Sequence, residues 1–414
     1  LLKKASHLIN RALEICPSSS SIQLLAASLN LATQHTKEAL TNYKKALKLD
    51  ESSIDSMNGL IHCQLLQGDI KDAALQLELL DELLPTIGVS AETVYLQALL
   101  LREQKGKEEE IMRLLDKAMD LHFKELKFNP DFLLQLVNAY FGLSKQPLLI
   151  VFDAKSSVSE ENEILSLWPD EQRLLQRAER LLLQILEIAP GLQKANYLLA
   201  CIHLRRGGLQ GALKFSQAAV DVDPTCIDAH ALHATIYLSQ GNLRMAEQAL
   251  EIGLSNNFDL RNHPLSNLVR AAVCLKDGET EKAIKVLNET IANPDAPGRS
   301  TEMSSKLIYS EFWITIYTEL IYAYKKMDKM QDARKILAEA RKAYANTLEM
   351  DRLAIIAADM DLAEGNLEAA LAQLSAVASD RPAYILAKQR MADAYLNHRK
   401  EWKLYIACYA YVSN

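Results

Sequence analysis

The segment that decides the fold spans residues 36–51 and reads TKEALTNYKKALKLDE. Its Ala39 is followed by Tyr43 four residues later and by Ala46 seven residues later. Offsets of four and seven lie on one face of an α-helix, so this segment predicts a helix with a small residue at the point of closest contact.

Two further segments align with it without gaps, residues 3–17 (KKASHLINRALEICP) and residues 70–85 (IKDAALQLELLDELLP). The opening alanines of the three segments are 34 residues apart: Ala5, Ala39 and Ala73. The segments close on Pro17, Glu51 and Pro85. Proline lacks an N–H and clashes with the preceding turn, so we expect the helices to stop at these prolines.

The same register returns further along the chain. Strong units centre on Ala178, Ala212, Ala246, Ala283, Ala333 and Ala370, and weaker ones on Ile111 and Leu404. Gly207 and Gly241 stand five residues before two of these alanines, where a tight turn needs positive φ. The preceding helices carry their own small residues at Ala27, Ala200, Ala234, Ala271, Ala358 and Ala392. A 34-residue period of helix–turn–helix units is that of the tetratricopeptide repeat.

We therefore predict an all-α protein, a tetratricopeptide-repeat right-handed superhelical solenoid of about ten to eleven helix pairs. A generic helical bundle or a HEAT-type array is the alternative, and the recurrence of one alanine register argues against it. The predicted divisions are N-terminal repeats in 1–143, an inter-helix insertion loop in 144–170, and C-terminal repeats in 171–414, forming one continuous superhelix. A second loop is predicted in 293–305.

Composition agrees with a helical repeat protein and excludes several classes. The chain is 49% hydrophobic, with only 14 Gly and 11 Pro. The net charge is −7 and no basic stripe is present, which argues against nucleic acid as a partner. No apolar run approaches the roughly 18–20 residues that span a bilayer, so no direct membrane insertion is expected. The six cysteines are scattered without CxxC spacing, which indicates reduced thiols and a cytosolic compartment.

Motifs for catalysis or ligand binding are weak. The GGLQG stretch at 207–211 lacks the Lys-Ser/Thr of a phosphate-binding loop, and no GxSxG motif occurs. His230 and His233 share a helix face and, with Cys201, His203 and Cys226 nearby, are candidate metal ligands. Because His233 directly precedes Ala234, a packed position, we predict packed or groove-lining histidines instead. We expect no enzyme activity, no cofactor and no metal.

A protein-binding groove is the remaining candidate site. In repeat solenoids the first helix of each pair lines an extended concave surface. The register places these residues on it: Tyr197, Leu204, Leu238, Leu268, Leu275, Tyr322 and Leu396, with His62, Lys194 and Lys325 between them. The alternative is that some of them pack inside the solenoid. Asn58, Lys194 and Lys325 do not form the set with which chaperone adaptors clamp a C-terminal carboxylate.

Several stretches resemble one family more closely than the repeat in general. They are 46–80 (ALKLDESSIDSMNGLIHCQLLQGDIKDAALQLELL), 129–137 (NPDFLLQLV), 227–241 (IDAHALHATIYLSQG), 254–265 (LSNNFDLRNHPL) and 391–409 (MADAYLNHRKEWKLYIACY). They resemble, in order and over nearly the whole chain, a middle portion of the large tetratricopeptide subunit of intraflagellar transport complex A.

That resemblance implies a non-catalytic scaffold in retrograde ciliary transport and in delivery of membrane proteins to cilia. The implied partners are other complex A subunits with β-propeller and tetratricopeptide domains, together with complex B and dynein-associated trains. The implied location is the cilium or flagellum, the cytoplasm and the ciliary base, in association with the cytoskeleton. Two alternatives stay open: the regulatory repeat region of a larger enzyme, and a chaperone adaptor.

Overall fold

The structure is a computed structural model. It describes residues 2–33, 35–124, 129–143, 169–293, 310–345, 347, 349–379, 381 and 383–410. All regular structure in these ranges is helical, with 21 α-helices, one 3-10 helix and one π-helical turn. The prediction of an all-α fold is therefore confirmed.

The helices group into two compact units. The first unit comprises residues 1–143 and 170–189. Its helices are α1 (Leu2–Ile15), α2 (Ser20–Ala32), α3 (Thr36–Leu49), α4 (Ile54–Gln67), α5 (Ile70–Ile87), α6 (Ala91–Glu103), α7 (Glu108–Lys124), α8 (Pro130–Leu143) and α9 (Pro169–Ile188).

Apart from Pro169, the first residue of α9, the described part of the second unit begins at Pro190. Its helices are α10 (Gln193–Arg205), α11 (Leu209–Val222), α12 (Ile227–Ser239), α13 (Leu243–Asn256), α14 (Pro264–Lys276), α15 (Thr280–Ile291), α16 (Ser310–Lys326), α17 (Met330–Ala343), α18 (Glu349–Ala363), α19 (Leu367–Ser375), α20 (Tyr384–Ala394) and α21 (Trp402–Ala410). The 3-10 helix (Phe258–Asn262) precedes α14, and the π-helical turn (Tyr395–Arg399) follows α20. None of the described helices is both long and apolar enough to cross a membrane.

The alanine register is buried where the helices meet, as the sequence predicts. These register alanines are 0% exposed: Ala39, Ala73, Ala178, Ala212, Ala246, Ala283, Ala333 and Ala370. The first-helix alanines, from Ala27 to Ala392, are at most 1% exposed. A methyl group at these points lets two helix backbones approach closely, while larger neighbours such as Leu287 fill the space beside them.

Turns and caps separate the helices at the predicted places. Gly207 and Gly241 adopt φ of 73° and 78°, the left-handed region that costs glycine little. Ser53 and Ser90 cap α4 and α6, because each hydroxyl accepts a hydrogen bond from the backbone N–H three residues later. The Asn129 Oδ1 atom does the same for α8, accepting from the Asp131 and Phe132 amides at 3.1 and 3.3 Å.

A polar cluster joins α7, α8 and α9 in the first unit. The Tyr140 hydroxyl donates to Asp116 Oδ1 at 2.7 Å, and Arg177 lies 2.9 Å from Asp116 Oδ2. Burial, and then the hydrogen bond to the carboxylate, raise the pKa of Tyr140. The tyrosine therefore stays a neutral donor, and the cluster fixes α9 against α7 although residues 144–168 stand between α8 and α9 in the sequence.

The predicted loop boundaries differ from the structure at one end. The loop predicted over 144–170 ends earlier, because Pro169 and Asp170 already belong to α9. Proline is favoured at the first helical position, where its missing N–H removes no helical hydrogen bond. The rest of that loop, residues 144–168, and nearly all of the second, residues 294–305, lie outside the described residues.

The register prediction is wrong for the opening position of the last helix pair. Leu404, predicted at the close-contact position of α21, is 38% exposed, whereas Cys408 is 7% exposed. Cys408 stands 34 residues after the buried Leu374, so the later contact position of this pair keeps the register and only the opening position departs from it. A π-helical turn at Tyr395–Arg399 precedes α21.

Pro85 does not end its helix, so the expectation that this helix stops at the proline is wrong. The helix α5 continues through Pro85 to Ile87, and Gly88 with φ of 94° follows it. Upstream, Leu77 and Leu80 are buried, at 5% and 1% exposure. We infer that this packing carries the helix past the proline in spite of one lost backbone hydrogen bond.

Replacing Pro85 with alanine should therefore stabilise the chain. Proline in a helix interior costs about 3 kcal/mol, and we expect a gain of about 1–2 kcal/mol so close to the end of α5. Urea denaturation followed by circular dichroism measures it. Pro224→Ala, in the turn before α12, is the control and should give no gain. Equal effects of the two substitutions would contradict the assignment of Pro85 to the helix.

Candidate protein-interaction surface

The first helices of neighbouring pairs contact one another and form the surface that the sequence singles out. In the second unit the chain of contacts runs α10–α12, α12–α14, α14–α16, α16–α18 and α18–α20. Each first helix also contacts its own second helix, for example α10 with α11. The first helices α12, α14, α16 and α18 therefore meet neighbouring first helices on two sides, which reduces the part of each helix that reaches solvent.

The seven predicted groove residues divide into two groups. Leu238, Leu268 and Leu275 are 1%, 1% and 6% exposed and belong to the hydrophobic core. Neighbouring first helices cover them, so they pack within the solenoid, the alternative that the sequence left open.

The other four keep part of their side chains exposed: Tyr197, Leu204, Tyr322 and Leu396. Tyr197 and Leu204 lie two turns apart on α10 and also pack against the core. We call these four residues the first-helix surface. Partly exposed aromatic and aliphatic side chains held by a rigid core suit contact with another protein. That they bind a partner stays a prediction.

Two lysines near this surface bridge neighbouring first helices. Lys325 Nζ donates to the Asp359 carbonyl in α18 at 3.1 Å, and Lys326 Nζ donates to the Leu275 carbonyl in α14 at 3.3 Å. The second contact places a cation at the C-terminal end of a helix, where the helix dipole favours it. Lys325, predicted to lie among the groove residues, thus also ties α16 to α18. Lys194 is exposed on α10.

His62 and Asn58 occupy the corresponding helix α4 of the first unit. Burial lowers the pKa of His62 to about 4, and its ring meets Tyr95 edge-on with 6.1 Å between centroids. Asn58 is 6% exposed and accepts a hydrogen bond from Thr93 at 3.4 Å. Burial also raises the pKa of Tyr95 to about 12. These groups are neutral at pH 7 and form packing contacts between α4 and α6.

The two histidines considered for a metal site are engaged in separate hydrogen bonds. His233 is buried, with Nδ1 2.8 Å from the Ser216 hydroxyl, and Tyr237 stands edge-on to its ring at 4.8 Å. His230 Nε2 donates to the Pro224 carbonyl at 2.8 Å. Within the ranges that the structure describes, no group of three His, Cys, Asp or Glu side chains is placed to hold a metal ion. Both histidines are packed, at 2% and 7% exposure, and do not line the groove.

Sequence reasoning missed a polar junction between α17, α18 and α19. Arg334 lies 2.9 Å from Asp361 Oδ1 and also pairs with Glu364. Gln373 Nε2 donates to Asp361 Oδ2 at 2.6 Å. The sequence contained a signal for this junction. Asp361 follows Ala358 by three residues, and at the same spacing after Ala234 another first helix carries an aromatic residue, Tyr237. A buried carboxylate in place of an aromatic ring requires a polar partner from a neighbouring helix.

Stacked helix–turn–helix pairs, a buried alanine register and contacts between successive first helices together define a tetratricopeptide-repeat protein. Comparison with known proteins agrees. Residues 1–241 match the family described as "Tetratricopeptide repeat protein 21 second ARM domain", and residues 258–412 match "Tetratricopeptide repeat protein 21 ARM repeat". The chain belongs to the tetratricopeptide repeat protein 21 family.

Individual relatives extend over almost all of the chain. "Tetratricopeptide repeat protein 21B" of Homo sapiens is 33% identical over 424 residues, covering 99% of this chain and 31% of the relative. "Tetratricopeptide repeat protein 21A" of Mus musculus is 33% identical over 413 residues, covering 98% and 30%. The chain therefore spans about a third of the length of these relatives.

Among solved structures, "Human IFIT1 dimer with m7Gppp-AAAA" aligns with a TM-score of 0.52 and 13% identity, over 98% of this chain and 80% of that chain. Identity this low shows a shared repeat fold and nothing more. Family and fold together identify the chain as part of a tetratricopeptide-repeat scaffold protein.

Proposed function

We propose that the chain is a non-catalytic segment of a scaffold subunit in intraflagellar transport complex A. The observation that carries the proposal is the 33% identity to tetratricopeptide repeat protein 21B over 99% of the chain. The stretches that resemble the complex A subunit support it. In this role the protein acts in retrograde ciliary transport and in delivery of membrane proteins to cilia.

The proposed partners are other complex A subunits built from β-propeller and tetratricopeptide domains, with complex B and dynein-associated trains as further contacts. The proposed locations are the cilium, the cytoplasm and the ciliary base. The partly exposed first-helix surface supports binding of proteins, because a few aromatic and aliphatic anchors dominate most interfaces.

Affinity purification of the tagged full-length protein from ciliated cells tests this proposal. We expect complex A subunits among the recovered proteins. A variant carrying Tyr197→Ser, Leu204→Ser, Tyr322→Ser and Leu396→Ser should recover less of at least one of them. The control is Met245→Ser with Ile252→Ser on α13, exposed at 42% and 49%. Recovery of no transport-complex subunit by the unchanged protein would refute the proposal.

A further inference from the structure

An exposed leucine pair marks the outer face of α5 in the first unit. Leu75 and Leu79 are 59% and 54% exposed and stand one helical turn apart. On the opposite face of the same helix Ala73, Leu77 and Leu80 are at most 5% exposed and contribute to the core. The helix thus has one apolar face that is buried in the repeat core and a second apolar stripe, Leu75 and Leu79, that is exposed.

Carboxylates flank this second stripe on both sides. Asp72 stands three residues before Leu75 and seven before Leu79, which places it along one edge of the stripe. Glu78 and Glu82 are four residues apart and follow the other edge. All three acids are exposed, and one exposed cation, Lys71, lies on the same edge as Glu78 and Glu82, so the stripe is flanked by three acids and one base. We define the α5 leucine face as Asp72, Leu75, Glu78, Leu79 and Glu82.

The charge of this face decides between possible occupants. A second copy of the chain would bring like carboxylates together around the leucines, which opposes self-association through this face. An anionic membrane surface or a nucleic-acid backbone would be repelled in the same way. A helix with an apolar stripe flanked by Lys or Arg fits both the leucines and the acids.

We propose that the α5 leucine face binds a basic amphipathic helix contributed by another protein. Leucines at i and i+4 offer contacts to the i, i+3, i+4, i+7 anchors of such a helix, and the flanking acids pair with its cations. Opposite charge at the rim sets the orientation and raises the association rate, while the leucines supply the buried area. This surface is distinct from the first-helix surface and does not depend on the ciliary assignment.

The chain offers a matched control on α13. Met245 and Ile252 are similarly exposed, at 42% and 49%, but stand two turns apart. The charges beside them are mixed, with Arg244, Glu247 and Glu251 on the same helix. Equal binding of a basic helix at both surfaces would indicate non-specific hydrophobic binding, whereas binding at α5 alone would indicate specific recognition by the α5 leucine face.

The test uses a fluorescent model helix of about 18 residues made only of leucine and lysine, with the leucines on one face. A second peptide carries glutamate in place of lysine. Binding to the 414-residue chain is followed by fluorescence anisotropy at physiological salt, and hydrogen exchange locates the contact. We expect the lysine peptide to bind, to protect α5 from exchange, and to exceed the glutamate peptide about tenfold in affinity.

Variants make the result specific. Leu75→Ser with Leu79→Ser should weaken binding of the lysine peptide about tenfold, and Glu78→Gln with Glu82→Gln about threefold. Met245→Ser with Ile252→Ser should change it less than twofold. The substituted side chains are exposed, so unchanged circular dichroism is expected and confirms folding.

Three outcomes would overturn the proposal: equal binding of both peptides, protection from exchange outside α5, or insensitivity to the leucine substitutions. Dimerisation that the leucine substitutions abolish would assign the face to a second copy instead. Binding to phosphatidylserine vesicles through these leucines would assign it to a membrane surface.

Discussion

Gly253→Leu should lower the free energy of unfolding by about 2–3 kcal/mol, an overpacking cost inside a filled core. Gly253 lies in α13, where a Cβ atom would stand 2.5 Å from Leu260 Cδ2 and 2.9 Å from His230 Cβ. Both neighbours are buried, and the 3-10 helix that carries Leu260 is packed against α13. Leucine gains about 0.8–1 kcal/mol of helix propensity over glycine, which is too little to offset the clash.

Gly142→Leu in α8 is the matched control. This glycine is exposed, and a Cβ there would meet only the end of the Arg102 side chain at 3.0 Å. We expect it to be neutral or slightly stabilising because helix propensity then acts alone. Urea denaturation of both variants gives the comparison. A Gly253→Leu protein as stable as the Gly142→Leu protein would show that α12 and α13 are not packed as described.

Lowering the pH from 7.5 to 4.5 should cost the chain several kcal/mol of stability, in part through the buried His233 and the half-buried His62. Burial lowers the pKa of His62 and of His233 to about 4, with the nearby charge of His230 adding to the effect at His233. In the unfolded chain a histidine pKa is about 6.5. Between pH 6.5 and 4 the unfolded state therefore binds more protons than the folded state, and stability falls as the pH falls. Each histidine contributes about 3 kcal/mol at most over that window.

A double variant that carries both His62→Gln and His233→Gln isolates the contribution of these histidines to the pH dependence. The double variant should be less stable at pH 7.5, because Ser216 and Tyr237 lose their contacts with the ring, yet its stability should depend less steeply on pH. His35→Gln, at an exposed position, should keep the original pH dependence. Denaturation curves at pH 7.5, 6 and 4.5 supply the measurement. Parallel pH profiles for the double variant and the original chain would be incompatible with neutral, buried histidines.

The periodic part of the fold could be predicted from the sequence, because it depends on residues that act locally. Ala39 and Ala212 repeat one helical register, and alanine recurring at one position of a helix indicates close contact with a neighbouring helix. Gly207 and Gly241 mark turns for an equally local reason, the left-handed φ that each adopts. Helix periodicity and turn chemistry were enough to identify the class of protein.

Features that depend on tertiary contacts could not be predicted in the same way. Helical period placed Leu268 and Leu275 on the inward side of α14, but only the approach of α12 and α16 shows that they are covered. The sequence alone predicts that the helix ends at Pro85, and only the packing of the preceding turns accounts for its continuation to Ile87. Leu404 stands 34 residues after Ala370 and is nevertheless exposed, although Cys408 one turn later is buried, and the sequence pattern does not distinguish the two positions.

Leucine substitutions at register alanines, compared with exposed alanines of the same helix, test the central claim most directly. On α17, Ala333 is 0% exposed and Ala338 is exposed; on α19, Ala370 is 0% exposed and Ala369 is exposed. Each comparison keeps the substitution and the helix constant. Free energies of unfolding from urea denaturation should fall by about 1–3 kcal/mol for Ala333→Leu and Ala370→Leu. Ala338→Leu and Ala369→Leu should stay within about 0.5 kcal/mol of the original chain. Register and exposed positions that tolerate leucine equally well would contradict a solenoid held together by its alanine register.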